Sequence, residues 1–372
     1  MFVAIASIFG SIVTGRYELA IMLPRKDEDA INVMAISFII NVILSFFILL
    51  AVVIFHDNIV KLLGSKDISP WLYFVPFSTF LIGAYNSLNY FNNRKKYYKD
   101  LAKANVLRAT GLSITQLSLG FLKAGAAGLI SGQIFSQILA NLKLLYNLKG
   151  LNMLNKIEKS KLITLLQRYK DFPKFSMWGG LINTLSHRIT NILVTSLYNI
   201  STLGFYSLAQ RVLGMPSVLI GSSISQVYFQ QATKEKQKTG KAIKTFKNTS
   251  IKLFVVSLPI FGILFFTVED LFTLVFGEKW RIAGSYTKIL AFFYMIRFIS
   301  GTLSVTVSVF EKQKMTLFIN AIILVTVITI LFLSHIFHKN FVYFLKLFSG
   351  TLSLEYALFF LYYYRLANGG KS

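Results

Sequence analysis

The sequence predicts an all-α polytopic membrane protein, with two helical lobes around a central cavity. Three observations lead there. The chain is too apolar and too poor in charge for a soluble globule. Charge-poor stretches of about 20 residues recur along its whole length. The basic residues collect on alternate connections between those stretches.

Of 372 residues, 54% are hydrophobic and only 15% are charged, and the mean hydropathy is +0.59. Soluble domains carry about 25% charged residues, so this chain cannot clothe a soluble globule in polar surface. The 35 Phe and 18 Tyr suit lipid-facing walls and interfacial belts. The absence of cysteine removes disulfides, zinc–thiolate sites and thiol catalysis. The net charge of +24 raises the question of nucleic acid, but that partner needs the basic residues on one soluble face, and here they are scattered.

A segment of about 20 apolar residues can cross the hydrocarbon as a helix. Eleven such segments follow one another: 1–15, 31–55, 70–91, 104–122, 124–147, 173–198, 203–230, 250–268, 286–310, 315–335 and 341–364. The connections between them alternate in charge. One set (16–30, 92–103, 143–174, 231–252, 311–314 and 365–372) holds 27 Lys and Arg, and the other set only 7. By the positive-inside rule the first set is cytoplasmic, and so is the C-terminus. The first span is short and lacks a basic flank, so an opening helix is expected to be missing and the full plan to have twelve. Residues 148–172 form the longest connection. Leu151, Leu154, Ile157, Leu162, Leu165, Leu166 and Tyr169 recur there at helical spacing among lysines, which predicts an amphipathic helix on the inner leaflet. The expected organisation is an N-terminal lobe over 1–147, a cytoplasmic linker over 148–172 and a C-terminal lobe over 173–372. The six-plus-six plan requires the missing helix.

Five bases lie within spans, namely Arg108, Arg188, Arg211, Arg297 and Lys346, against one acid, Glu355. A charge at the bilayer centre costs about 2.5–3.5 kcal/mol on insertion scales, so it faces a cavity or a partner. Arg108 and Lys346 sit about one turn from a span end and could snorkel. At a rise of about 1.5 Å per residue, Arg188 and Arg211 lie some 12–15 Å deep and Arg297 is near the midplane. Gly180, Thr184, Arg188, Asn191 and Thr195 share one helical stripe. Arg211, Gly214, Gly221, Ser222 and Ser225 make a second, and Arg297, Gly301, Ser304 and Ser308 a third. Small residues also serve close helix packing, but packing does not call for an arginine on each stripe. The surplus of cations predicts a cavity for an anionic ligand, with Thr184 and Asn191 as further contacts. Pro76, Pro216 and Pro259 are candidate bending points. Glu355 and His187 are candidates for proton coupling, although a lone intramembrane His is more often a packing residue. No Gly-rich phosphate loop, carboxylate pair, metal cluster or large outer catalytic loop is present, so no enzyme, cofactor or metal is expected.

Two stretches carry a family resemblance. One runs Arg16-Tyr17-Glu18-Leu19-Ala20-Ile21-Met22-Leu23-Pro24 and on through Lys26-Asp27-Glu28-Asp29-Ala30. The other runs from Phe172-Pro173 through Asn183, Leu185-Ser186, Gly204-Phe205-Tyr206, Ala209-Gln210-Arg211-Val212-Leu213 and Pro216 to Gln226-Val227. Both resemble the Wzx-type polysaccharide flippases, in the superfamily that also holds MurJ and the MATE exporters. The resemblance covers essentially the whole chain except the family's first helix. It implies two six-helix lobes around a central cavity. It also implies that undecaprenyl-pyrophosphate-linked oligosaccharides are moved across the bacterial inner membrane, for O-antigen, capsule or exopolysaccharide. A polymerase machinery is then a possible partner beside the membrane lipids. Arginine suits that substrate, because its planar donors bind phosphate bidentately. A MATE-like exporter of cationic drugs would want intramembrane carboxylates. A glycan polymerase or ligase would want a large outer loop.

The topology is directly testable because the chain has no cysteine. Ser201→Cys is expected to react with a membrane-impermeant maleimide in intact cells. Thr239→Cys is expected to react only after permeabilisation, and labelling of both in intact cells would overturn the orientation.

Overall fold

A computed structural model describes residues 2–63, 68–149, 153–337 and 339–369, and the described residues outside turns and loops are helical. The chain divides into two compact units, Met1–Leu181 and Ile182–Ser372. The division falls inside a helix, so the linker and the first turn after it belong to the first unit.

The first unit contains α1 (Phe2–Gly10), α2 (Tyr17–Ala20), α3 (Asp27–Ile54), α4 (His56–Leu63), α5 (Ser69–Leu72), α6 (Val75–Arg94), α7 (Tyr98–Phe121), α8 (Gly125–Tyr146) and α9 (Lys159–Arg168). The second contains most of α10 (Met177–Leu197), then α11 (Ile200–Pro216), α12 (Ser222–Thr239), α13 (Ile243–Phe276), α14 (Arg281–Leu303), α15 (Thr306–Val309), α16 (Gln313–Ile336) and α17 (Phe341–Ala367). Among the described residues, six helical stretches are apolar enough to read as spans on hydropathy alone. The sequence reading counted eleven, and the difference lies mainly in α6, α7, α8 and α10. These helices have 20, 24, 22 and 21 residues, long enough to cross, but they carry polar faces.

On α6 those polar faces point inward. Asn41 of α3 donates to the Phe80 carbonyl at 2.9 Å, and Ser37 meets Ser87 at 2.7 Å. Asn141 of α8 donates to the Leu81 carbonyl at 3.0 Å, and Asn147 to Asn92 at 2.8 Å. Gly83 permits this approach, since a Cβ there would sit 2.5 Å from Asn41 Oδ1 and 2.6 Å from Val13 Cγ1. Polar side chains that bond across helices hold a bundle together where lipid supplies no hydrophobic drive. In the second unit α14 takes the central place, packed by α11, α13 and α17. Aromatic rings meet at these seams: Phe341 of α17 lies 5.1 Å from Tyr286 of α14 and 5.6 Å from Tyr206 of α11, and Phe293 of α14 lies 5.5 Å from Phe348 of α17.

Several local expectations are corrected. Pro76 lies in the first turn of α6, where its missing N–H costs nothing, so it does not bend a span. Pro259 lies inside one uninterrupted helix, α13, whereas Pro216 is followed by a π-turn over Ser217–Gly221. The first span stops being helical at Gly10 and continues as turns to Arg16. The basic connection 231–252 is mostly helix. α12 and α13 extend into it and leave a short turn, and Glu235 caps α13 by accepting the Lys244 and Thr245 amides at 3.1 and 2.8 Å. The amphipathic linker helix is present but covers only α9. It buries Leu165 and is tied to α3 by Asn32, which donates to the Lys156 carbonyl and accepts from the Glu158 amide. Leu151, like the Leu154 side chain, lies outside what the structure describes.

Arg94, at the C-terminal end of α6, holds the 21–27 loop. Its guanidinium donates to the carbonyls of Ile21, Met22 and Arg25 and to Asp27. Burial pushes the Asp27 carboxyl up, but hydrogen bonds from Lys95 and Arg94 outweigh it and hold the group below its usual value of 3.8. A carboxylate with a depressed pKa stabilises the fold fully above its unfolded value. That contribution fades as pH falls through the lowered value. Arg94→Ala is therefore expected to lower thermal stability at all pH values, because several carbonyls lose their donor. Asp27→Asn is expected to lower it at pH 7 but to match wild type at pH values well below 3.8. A constant difference across that range would refute the role of the carboxylate.

Candidate functional site

The described intramembrane charges go to different places. Arg297 on α14 lines a cavity of about 30 Å³ inside the second unit. Its guanidinium lies over the rings of Tyr294 and Phe293, at 5.4 and 6.0 Å. The hydroxyls of Tyr294 and Tyr356 are its hydrogen-bond partners. Tyr206 and Gln210 from α11 close the same cavity, with Asn183, Ser186 and Thr190 from α10. Arg211 follows Gln210 in sequence but points elsewhere and is exposed. The structure therefore does not gather Arg211 and Arg297 on one surface. Arg211 is exposed, whereas Arg297 is half-buried and lines the cavity.

Arg108 stays within the first unit, where its guanidinium stacks 5.3 Å from the Tyr85 ring. Lys346 is exposed on α17. The side chains of His187 and Arg188 lie outside the described set. Thr184 and Asn191 on the same helix are half-buried, and Asn191 Oδ1 is buried without a hydrogen-bond partner. Glu355 accepts from Thr326 of α16 through one oxygen, and its other oxygen is buried without a partner. Among the described residues, no group of three or more His, Asp or Glu could hold a metal.

The Arg16-Tyr17-Glu18 stretch is a built cluster. Gly15 and Arg16 adopt left-handed backbone conformations, with φ of 59° and 62°, and end the turns that follow α1. Glu18 is fully buried, accepts from Thr14 and pairs with Arg16 at 3.5 Å. The Tyr17 hydroxyl donates to the Leu166 carbonyl of α9 at 2.9 Å. Pro24 is buried in the loop that Arg94 holds. The Arg16 guanidinium rests against Gly180, where any Cβ would collide with it. The tyrosines around Arg297 were not singled out in the sequence. Their signal was present, since Tyr206, Tyr294 and Tyr356 all fall in the middle of long helices, away from the interfaces where tyrosine usually collects.

A family model described as polysaccharide biosynthesis protein matches residues 1–284. The chain belongs to this family. A curated relative, the teichuronic acid biosynthesis protein TuaB of Bacillus subtilis (strain 168), is 28% identical over 132 residues. That match covers 36% of this chain, and the chain spans only 27% of the relative's length. Solved structures with the same fold include a MATE in the bent conformation (TM-score 0.70, 15% identity, 99% of this chain and 84% of that one). The MATE transporter ClbM in complex with Rb+ has a TM-score of 0.73 at 16% identity, over 98% of this chain and 84% of that one. A MOP superfamily transporter from Pyrococcus furiosus, described as having a binding pocket of reverse polarity, has a TM-score of 0.73 at 15% identity, over 100% and 86%. The polysaccharide biosynthesis family and the MATE fold together bear out the resemblance read from the sequence, and with it an all-helical membrane protein.

For this member of the polysaccharide biosynthesis family, the Arg16 cluster makes a sharp stability prediction. Gly180→Val is expected to destabilise the protein by displacing the Arg16 guanidinium from Glu18. Arg16→Gly removes both the obstacle and the left-handed strain, which costs about 1–2 kcal/mol for a side chain. The double variant is therefore expected to be more stable than Gly180→Val alone. Additive losses in a thermal double-mutant cycle would show that the two residues do not press on each other.

Proposed function

We propose that this protein is a flippase, carrying undecaprenyl-pyrophosphate-linked oligosaccharide units across the bacterial inner membrane for O-antigen, capsule or exopolysaccharide assembly. The observation that carries this reading is the sign of the charges inside the spans of a polysaccharide biosynthesis family member. Five bases stand there against one acid, and the acid is already engaged by Thr326. A diphosphate is the anion that the lipid-linked substrate brings, and guanidinium groups recognise it through charge and paired hydrogen bonds. Arg211, exposed on α11, is the described arginine placed to meet a large ligand, and Arg188, Thr184, Asn191 and Lys346 are its proposed companions. Arg297 sits in a cavity too small for a diphosphate, so its part is to set the potential of the second unit. Alternating access follows if the two units rock against each other. The C-terminus is cytoplasmic in this reading, and a polymerase takes the product on the outer side.

The rival reading, export of small cations by a MATE-like route, shares the fold but needs carboxylates along the path. Glu355, with one oxygen unpartnered in the membrane, is the proposed proton carrier, with His187 as a second candidate. Two outcomes test the assignment. Arg211→Ala at normal expression is expected to cut surface polysaccharide at least about tenfold, the effect of losing one charge-assisted contact worth about 1.5–3 kcal/mol. Lipid-linked repeat units are expected to accumulate on the inner leaflet. Unchanged surface polysaccharide would remove Arg211 from the path, and unchanged polysaccharide on deleting the whole gene would remove the flippase reading. Glu355→Gln is expected to leave transport insensitive to an imposed proton gradient, and retained sensitivity would acquit the carboxylate.

A further inference from the structure

We propose that the second unit binds an anionic phospholipid of the surrounding bilayer, with the phosphates on Lys241, Lys244, Lys247 and Arg365 and the chains on the apolar faces of α13 and α17. The start of α13 and the end of α17 meet at this place. The Ala242 amide donates to the Ala367 carbonyl at 2.8 Å, and a Cβ on Gly369 would lie 3.3 Å from Lys241 Cε. Phe246 of α13 packs on Phe360 and Tyr364 of α17 at 5.4 and 6.0 Å. Segments more than a hundred residues apart in sequence thus present one basic surface, and all four bases on it are exposed. Over 231–252 and 365–372 the sequence holds a single acid, Glu235. Its carboxylate already accepts the Lys244 and Thr245 amides and the Thr245 hydroxyl. Glu311, on the neighbouring turn, pairs with Lys236 at 3.3 Å. Each acid therefore has donors of its own, and a headgroup phosphate supplies the missing negative charge.

The apolar half of the surface identifies the partner as a lipid. On α13, Lys244, Lys247, Ile251, Val255 and Leu258 follow one another at steps of 3, 4, 4 and 3, so they share one stripe, and all are exposed. On α17, Leu354, Leu358, Leu361 and Arg365 form a second exposed stripe at steps of 4, 3 and 4. Each stripe is basic at the helix end and apolar from the next turn onward. Both are rotated the same way from the seam residues, Phe246 on one helix and Phe360 and Tyr364 on the other. Between antiparallel helices that places them on one face of the pair. Lys247 lies over the Tyr364 ring at 5.9 Å and so borders the seam itself. A soluble polyanion, whether acidic peptide or nucleic acid, has nothing to lay on Ile251, Val255, Leu358 and Leu361. A phospholipid meets the lysines with its phosphate and the leucines with its chains. The site belongs to the second unit alone and is independent of the flippase reading, since its test requires no transport.

The test uses the full chain, purified in detergent, with cardiolipin as a phospholipid of two phosphates and phosphatidylcholine of the same chains as the neutral comparison. Native mass spectrometry counts the lipid retained at increasing lipid concentration. Wild type is expected to retain cardiolipin saturably, at concentrations where phosphatidylcholine is lost. Lys247→Gln is expected to weaken cardiolipin binding roughly fivefold, the effect of one base beside an anionic lipid. Joining Lys244→Gln and Arg365→Gln to it is expected to bring the loss to about a hundredfold. Arg281→Gln, which removes an exposed cation at the other end of α13 paired with Asp270, is expected to leave binding unchanged. Sodium pyrophosphate or polyglutamate, at the concentration of the lipid, is expected to leave the adduct in place. If the triple variant fails to fold, Lys247→Gln decides the question alone. The proposal is overturned if wild type does not prefer cardiolipin, or if Lys247→Gln and the triple variant both bind it as wild type does. Displacement by a soluble polyanion would overturn it in favour of an acidic partner, and tighter binding of undecaprenyl pyrophosphate would overturn it in favour of the carrier lipid.

Discussion

Inside the hydrocarbon layer there is no water to receive a polar group, so each amide, hydroxyl and cation on a spanning helix must be met by another helix or by a ligand. The backbone meets this demand by being helical. The side chains meet it in two ways, and the two units differ in which they use. In the first unit, asparagines and serines of α3, α6 and α8 bond directly to carbonyls and to each other. In the second, aromatic rings fill the space between α11, α14 and α17, and a guanidinium stands among their hydroxyls.

That difference divides the work. The first unit is closed by its own hydrogen bonds and is anchored at the C-terminal end of α6. There Arg94 gathers the carbonyls of the 21–27 loop, and Tyr17 reaches the linker helix. The second unit instead sets the Arg297 guanidinium over the rings of Phe293 and Tyr294. The cluster around Arg16 and the cavity around Arg297 are thus different devices. One uses buried pairing and left-handed backbone to shape the turns that follow α1, and the other stacks a guanidinium on aromatic rings.

The sequence was easiest to read where a rule acts along the chain. α3, α13, α16 and α17 stand out because their lipid-facing residues are apolar whatever their neighbours do. The alternation of basic connections is likewise a property of composition alone. Reading failed where a neighbour decides. α6 looks polar by hydropathy, because its polar groups face α3 and α8, and their partners are 39–60 positions away in sequence. The three arginine stripes looked equivalent, since helical periodicity tells which residues share a face and not what that face meets. The π-turn after Pro216 adds to this, because it rotates α12 relative to α11 and breaks the stripe that a continuous helix would carry from Arg211 to Ser225.

By itself the sequence determined the membrane class, the helical backbone, the excess of cations within the spans and the family motif around Arg16. These follow from local composition, from helix periodicity and from the cost of charge in lipid. Only the tertiary structure decided that Arg211 is exposed while Arg297 is half-buried beside Tyr206, Tyr294 and Tyr356. It also decided that Glu18 pairs with Arg16, and that Gly180 yields the space for that guanidinium. The environment of a charge is set by residues from several helices at once, and that convergence is created when the helices pack.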